Sequence, residues 1–386
     1  MNLIEFTQKL LRIQSITPRD MGCFDLIEPE LKELGFSTKR INYLNVENLY
    51  AEIGSGENFC FLGHTDVVPT GPVESWSCDP FAAEIKENVI TARGAADMKS
   101  SISAFLFALK DIDLSKNRKK ISILLTSNEE GDAKDGTIEK VLDELKQNNN
   151  AINYCLAGEP SSKNELGDTV RIGRRGSLSG SLTIIGKQGH VAYPSDVINP
   201  IMLSGGVIKE LSEKQWDQGN ENFPPTSFQI SNINAGTGAK NVVPGDLKIE
   251  FNFRFSPEIT EDEIKAEVVK VIEEHIKNYE LDWELNAKPF YTDKPFLRNI
   301  VTKSIKRITG INTIEDTGGG TSDGRFMHPH GAEVVELGPI NASIHKIDEH
   351  IKIDHLEVLK DIYRDILISY IAVSYTHLTL PTKASV

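Results

Sequence analysis

The sequence predicts an α/β protein, a mainly parallel sheet covered by helices, with a smaller α+β unit inserted into it. Three observations carry this expectation. The first half alternates short β-branched or apolar runs with stretches of helical spacing, the pattern of a parallel sheet whose crossovers are helices. From about Ser177 to Lys288 the order becomes strand, helix, strand, strand, helix, strand. After Pro289 the helix-then-strand style resumes, so the middle reads as an insertion. A chain of 386 residues also exceeds what one ordinary core organises, which favours two domains.

Residues 3–15 and 23–35 have helical spacing, 58–62 is an apolar strand, 98–112 a helix, 121–126 a strand, 137–147 a helix and 152–157 a strand. The insertion contributes strand 178–186, helix 200–212, strands 226–233 and 246–255, helix 260–278 and strand 281–287. Helix 295–309, strand 332–337 and the amphipathic pattern from Leu356 to Ala372 follow. The expected boundaries are 1–176 with 290–372 for the larger, discontinuous domain and 177–289 for the insertion. Residues 373–386 are expected to be a non-native tail. They lose the helical period, and Val373-Ser-Tyr-Thr-His-Leu-Thr-Leu-Pro-Thr382 matches the translation of a transposon sequencing adapter, so His377 receives no role.

Apolar residues make up 39% and charged residues 25%, which are globular proportions. No run of eighteen apolar residues occurs, and the N-terminus enters a helical pattern without a basic region or cleavage site, so the expected location is the cytoplasm. Cys23, Cys60, Cys78 and Cys155 are scattered with no CxxC pair, which points to reduced thiols and away from a disulfide framework or thiolate metal site. A formal charge of −14 argues against nucleic acid or an anionic membrane as partner, because both demand basic patches. A small anionic substrate remains compatible, since local arginines hold a carboxylate whatever the global charge.

The chemistry-bearing residues fall at strand ends. The run Asn58-Phe-Cys-Phe-Leu-Gly63 leads into His64-Thr65-Asp66, and Ile121-Ser-Ile-Leu-Leu-Thr126 into Ser127-Asn128-Glu129-Glu130. Likewise Ile152-Asn-Tyr-Cys-Leu-Ala157 leads into Gly158-Glu159, and Ala332-Glu-Val-Val-Glu-Leu337 into the loop Asn341-Ala-Ser-Ile-His345. Carboxyl ends of parallel strands share one sheet edge, where ligands bind. Two histidines and three glutamates therefore meet in one crevice, joined by Asp97 from the loop Arg93-Gly-Ala-Ala-Asp97. Asp97 taken alone reads as an N-cap of the following helix. Histidine and carboxylate without cysteine match the nitrogen and oxygen ligands of a catalytic zinc site. Asp66, two residues after His64, falls on the same side of an extended chain and is placed to fix its tautomer. Glu129 and Glu130 read either as a solvated turn or, pointing opposite ways, as a base and a ligand.

The segments His64-Thr-Asp-Val-Val-Pro-Thr-Gly-Pro72, Gly94-Ala-Ala-Asp-Met-Lys99, Glu129-Glu-Gly131, Gly158-Glu-Pro160 and the late His345 resemble, in order, the signature segments of the di-zinc aminoacylase and carboxypeptidase (M20-type) family. Arg174-Arg-Gly-Ser-Leu178, Gly186-Lys-Gln-Gly-His-Val-Ala-Tyr-Pro194, Asn241-Val-Val-Pro244, Phe251-Asn-Phe-Arg254 and Gly318-Gly-Gly-Thr-Ser-Asp-Gly-Arg-Phe326 are similar to the branch that removes succinate from N-succinylated diaminopimelate. The resemblance spans residues 1–372. It implies a di-zinc exopeptidase-like catalytic domain with an inserted dimerisation or lid domain, and two Zn²⁺ per subunit, with Co²⁺ a possible substitute. His64 and Glu159 would complete one zinc, Glu130 and His345 the other, with Asp97 bridging both and Glu129 the general base. Four positive charges against three ligand carboxylates would leave an excess that activates a bridging water.

His190 is implied to support the oxyanion from the neighbouring subunit of a homodimer. Arg175, Tyr193, Asn241, Arg254, Gly320 and Thr321 match substrate contacts. For Arg254 the alternation Phe251-Asn-Phe-Arg-Phe255 adds its own argument, placing it on the face opposite the phenylalanines. Gly318-Gly-Gly320 suits close backbone approach to a ligand but lacks the Lys-Ser/Thr of a phosphate loop.

Two positions depart from the family pattern. Ser100 stands where glycine is usual, and Asn128 replaces the usual aspartate before the glutamate pair. The expected result of Asn128→Asp is a modest change in the pH profile and no loss of activity, because the base itself is untouched; a rate altered by about a hundredfold would contradict it. Competing readings keep the two-zinc chemistry with another substrate, as in acetylornithine deacetylases, aminoacylases or dipeptidases, or keep only the fold as a scaffold. The scaffold reading predicts loss of a ligand or the base, and all are present.

Overall fold

A computed structural model of the chain describes residues 1–116, 119–131 and 137–372; the expected tail at 373–386 lies outside the described residues. The architecture is α/β with a mostly parallel central sheet of eight strands. Strands Lys120–Thr126, Asn58–His64, Tyr154–Ala157 and Glu333–Glu336 lie side by side in that order, all parallel. Four of the strands that the sequence ties to ionisable residues are thus neighbours, and their carboxyl ends share one edge.

Burial on both faces explains their unbroken apolar runs. Phe59 and Phe61 face a core built with helices Leu3–Leu11, Cys23–Glu33, Lys99–Lys110, Pro295–Thr309 and Ile353–Ala372. Cys60 and Leu62 alternate onto the opposite face, against Val141, Leu142 and Leu145 of helix Thr137–Gln147. Phe61 stacks on Phe105 at 4.1 Å between ring centroids, with Tyr363 edge-on at 5.7 Å. A buried aromatic of this kind stabilises by roughly 1.5–3 kcal/mol, so the strand bearing His64 is firmly held.

A second, antiparallel sheet runs in the order Ser227–Ala235, Asp246–Phe255, Gly176–Ile185, Tyr279–Ala287. Helices Pro200–Glu213 and Glu261–His275 supply Val207, Leu211, Ile264, Val268 and Ile272 to a separate apolar cluster with Leu178, Leu182, Phe251 and Phe253. The alternate residues Ser177, Ser179, Asn252 and Arg254 fall on the other, polar face.

Several boundaries differ from the sequence reading. The first helix stops at Leu11, with Arg12 as C-cap, and the second at Glu33, just before Gly35 with φ of 88°. The short strands Ser37–Arg40, Thr169–Arg171 and Ile314–Asp316, and the longer Asn48–Ile53, escaped sequence reading. The short ones are largely polar and take their strand state from their neighbours. Cys23, Cys60 and Cys155 are buried, and all four cysteines are free.

On the edge strand, Arg40 bridges Asp25 and Glu28 at 2.7 and 2.9 Å. Hydrogen bonds from Lys32, Thr38 and Arg40 hold the Glu28 carboxyl down at about 2, against an ordinary 4.5. A depressed folded-state pKa means this contribution is full above pH 4.5 and fades as pH falls towards 2. Glu28→Gln is therefore expected to flatten the acid limb of stability in that window while leaving neutral-pH activity unchanged. Urea midpoints from pH 7 to 2.5 check it.

Candidate metal centre and substrate crevice

His64 closes strand Asn58–His64 and is 1% exposed. Its Nδ1 lies 2.9 Å from the Asp66 carbonyl oxygen and 3.5 Å from the Asp66 carboxylate. A carbonyl can only accept, so Nδ1 carries a proton, and Nε2 is the nitrogen that faces the crevice. Asp66 therefore fixes the tautomer chiefly through its main chain. Its carboxylate does something the sequence did not suggest, accepting the backbone N–H groups of Glu129 and Glu130 at 3.2 and 3.1 Å. The loop after strand Lys120–Thr126 is thereby tied to the loop after Asn58–His64.

Asp97 is not the N-cap that its position suggested. Helix Lys99–Lys110 is capped at Met98 with no side-chain bond, and the Asp97 carboxylate turns into the crevice. Its Oδ1 lies 3.1 Å from His64 Nε2, and its Oδ2 3.4 Å from His345 Nε2. Glu159 Oε1 approaches His64 Nε2 to 4.0 Å, and Glu130 Oε1 approaches His345 Nε2 to 2.9 Å. One aspartate thus presents an oxygen to each of two histidines, each with its own glutamate.

Electrostatics tests whether this donor set fits cations. Burial opposes charging of His64, yet Asp66 and Asp97 outweigh it and hold the imidazole well above its ordinary pKa. Hydrogen bonds to Asp97 and Glu130 push His345 up to about 10. Burial, together with Glu129 and Asp97, pushes Glu159 well up, and burial likewise raises Glu129, aided by Asp323, Glu130 and Asp97. The cluster is an excess of buried carboxylate, with ligand atoms of His64, Asp97 and Glu130 within 4.8 Å of one another. Divalent cations would relieve that excess, and the nitrogen and oxygen donors suit them.

The crevice around these groups has a volume of about 340 Å³ and includes Glu129, Arg171, Arg174, Arg254, Gly320, Thr321 and Asn341 in its walls. An adjoining hollow of about 300 Å³ shares Glu129, Arg254 and Thr321 and adds Ser179, Asn286 and Arg325. Of the substrate contacts expected from sequence, Arg254, Gly320 and Thr321 line the crevice. Arg175 does not: it points to Ser227 Oγ at 3.5 Å, and its neighbour Arg174 forms the wall. Burial lowers the Arg254 pKa, helped by Arg175 and Arg174, as expected of a cationic patch.

His190, Tyr193 and Asn241 gather elsewhere, exposed on the stretch between strands Gly176–Ile185 and Asp246–Phe255. The pair Gly189–His190 runs beside Val242–Val243, the Val191 N–H donates to the Asn241 carbonyl at 3.1 Å, and the His190 and Tyr193 rings lie 5.7 Å apart. None of the three lines the crevice within one chain. Arg171, Arg174 and Asn341 were missed as wall residues. Asn341 had a usable signal, heading the loop that ends at His345; Arg174 heads the segment Arg174-Arg-Gly-Ser-Leu178 but was passed over for its neighbour, and Arg171 stands on a short strand no local pattern marked.

Residues 60–369 match the model of peptidase family M20/M25/M40. The chain belongs to this family. Curated relatives include the succinyl-diaminopimelate desuccinylases of Methylococcus capsulatus, 50% identical over 96% of this chain and 99% of the relative, and of Thioalkalivibrio sulfidiphilus, 50% identical over 94% and 97%. Solved M20 structures share the fold at low identity. An M20 family metallo-carboxypeptidase from Sulfolobus solfataricus is 19% identical with a TM-score of 0.79, covering 97% of this chain and all of that one. A dinuclear metal binding peptidase of the family from Bacillus subtilis is 15% identical with a TM-score of 0.71, over 96% and 97%.

Proposed function

We propose that this M20 family member is a metal-dependent amidohydrolase that cleaves N-succinyl-L,L-2,6-diaminopimelate to succinate and L,L-diaminopimelate, a step of diaminopimelate and lysine biosynthesis. The observation that carries the substrate is the near-complete match, at 50% identity, to proteins named for this reaction. The site chemistry agrees with it. A substrate with three carboxylates needs local cations in an acidic protein, and Arg254 faces the crevice without a carboxylate partner among the described residues.

His64, Asp97, Glu159, Glu130 and His345 are proposed to hold two metal ions, taken to be zinc because the donors are imidazole and carboxylate, with cobalt able to substitute. When bound, such ions supply Lewis acidity towards the amide carbonyl and a water acidic enough to ionise near neutrality. Glu129 is proposed as general base and acid. Its carboxylate lines the crevice, where it can take the proton of the attacking water and later deliver it to the leaving amine. Arg254, Gly320 and Thr321 orient the substrate in the crevice. His190, Tyr193 and Asn241 would reach a reacting substrate only from a second copy or by movement of the inserted unit. A homodimer in which His190 of the partner subunit supports the oxyanion is the arrangement proposed, acting in the cytoplasm.

The test is succinate release from N-succinyl-L,L-diaminopimelate by zinc-loaded protein, with N-acetylornithine alongside. Activity on acetylornithine alone would keep the site and remove the substrate. Arg254→Leu is expected to raise KM by roughly 10- to 100-fold with a smaller effect on kcat, the loss of charge-assisted hydrogen bonds to a carboxylate. Steady-state kinetics on both substrates check it.

A further inference from the structure

Three of the loops that converge on the crevice are joined by one buried ion pair outside it. Arg93 and Glu349 are 2% and 0% exposed, and Arg93 Nη1 lies 2.7 Å from Glu349 Oε2. The other oxygen, Oε1, accepts the backbone N–H groups of Ala96 and Asp97, both at 2.9 Å. Arg93 Nη1 also donates to the carbonyl of Lys346, next to His345, at 3.1 Å. Its Nη2 reaches the carbonyls of Pro69 and Thr70, at the end of the loop that begins with His64, at 3.4 Å.

The pair sits where it does because strand His350–Lys352 runs antiparallel to Val89–Thr91, with the Ala92 N–H donating to the Glu349 carbonyl at 2.9 Å. Glu349 immediately precedes one of those strands, and Arg93 follows the other by two residues. The turn between His345 and Glu349 holds His345 at φ 59° and Asp348 at φ 57°, backbone conformations that persist in non-glycine residues only where the surroundings over-determine them. The Arg93 bond to Lys346 falls within that turn.

We infer that Arg93 and Glu349 are positioning residues for the metal centre, a staple that sets the Asp97, His345 and His64 loops at their mutual spacing before any cation binds. The inference rests on the reading of Asp97, His345 and His64 as metal ligands. Glu349 acts through the backbone of Asp97 and Arg93 through the main chain beside His345, so neither touches metal or substrate. Preorganisation of this kind fixes ligand direction, and its loss weakens metal binding more than it alters the rest of the fold.

The test uses the full chain after chelation. Zinc is titrated into the parent, Glu349→Gln and Arg93→Lys, with circular dichroism recorded on each and the Co²⁺ absorption spectrum taken as a second probe. Glu349→Gln is expected to weaken zinc binding at least about tenfold and to change the Co²⁺ bands, at unchanged secondary structure. Arg93→Lys, which keeps the charge but loses the planar fork, is expected to lie between it and the parent. A merely structural pair would lower the melting temperature and leave zinc affinity unmoved. Zinc affinities within about twofold of the parent in both variants would overturn the inference. If the variants fail to fold, amide exchange in the chelated parent decides: slow exchange at Ala96 and Asp97 supports the staple, and unprotected exchange there sinks it. A parent that binds no zinc would instead remove the ligand reading on which the inference stands.

Discussion

Glu129→Ala is expected to lower kcat for succinate release by roughly 10²–10⁴-fold while zinc binding persists, the usual contribution of a positioned general base. The separation follows from the geometry. The carboxylate beside His345 is that of Glu130, at 2.9 Å, and that of Glu129 lines both the crevice and the adjoining hollow. The loop carrying both is held by Asp66 through their backbone N–H groups, which the substitution retains. Zinc stoichiometry should therefore stay at the parent value as turnover collapses. Loss of zinc together with activity would mean that Glu129 belongs to the ligand set, and retained activity would remove it from the mechanism. Asp66→Ala should act differently, loosening both glutamates at once and lowering zinc affinity as well as rate.

The second large effect is expected in stability. Arg174→Met should cost about 3–5 kcal/mol, because it leaves the Glu336 carboxylate buried without its partner. Glu336 is fully buried, and Arg174 Nε lies 3.1 and 2.9 Å from its two oxygens, with Nη2 also in contact. Ser322 donates to the same carboxylate, and Arg174 Nη1 donates to the Gly318 carbonyl at 3.0 Å. The pair thus holds the Gly318–Thr321 turn against the end of strand Glu333–Glu336, one wall of the crevice. Against a typical total of about 5–15 kcal/mol, such a loss is large. Urea denaturation of the metal-free protein reads it directly. A midpoint close to the parent's would show that water or rearrangement satisfies Glu336. Replacing Arg174 and Glu336 together by apolar residues should recover most of the stability, since a matched apolar pair carries no stranded charge. It should not recover a low KM, because the crevice would lose a cation.

Much of this was legible along the chain because the relevant signals are local. A strand buried on both faces must be continuously apolar, and the residues at its end must be where the polarity resumes. His64, Glu129, Glu130 and Glu159 could be read in that way, and the four strands leading to the crevice are parallel neighbours. Period-two alternation likewise put Arg254 opposite Phe251, Phe253 and Phe255. For Asp97 local position alone pointed to a helix cap, because a carboxylate before a helix looks the same whether it turns towards the backbone or away from it; only its company of histidines and glutamates placed it in the crevice. The choice of Arg175 as a substrate contact came from the family resemblance and from no local pattern. Adjacent arginines are equivalent to any local pattern, and only the position of Glu336, 162 residues later, decides which one is buried.

The sequence by itself determined the α/β class, the order of the elements, the residue types at each strand end and the family. These depend on periodicity, turn chemistry and short segments, which are properties of neighbours in the chain. Tertiary structure decided which oxygen of Asp97 faces which histidine, that Asp66 works through its carbonyl as well as its carboxylate, and that His190, Tyr193 and Asn241 gather away from the crevice. It also decided that Arg93 and Glu349, 256 residues apart, meet in the core. Distances of that kind arise only when separate strands are brought into register and charged side chains, denied water, must find one another.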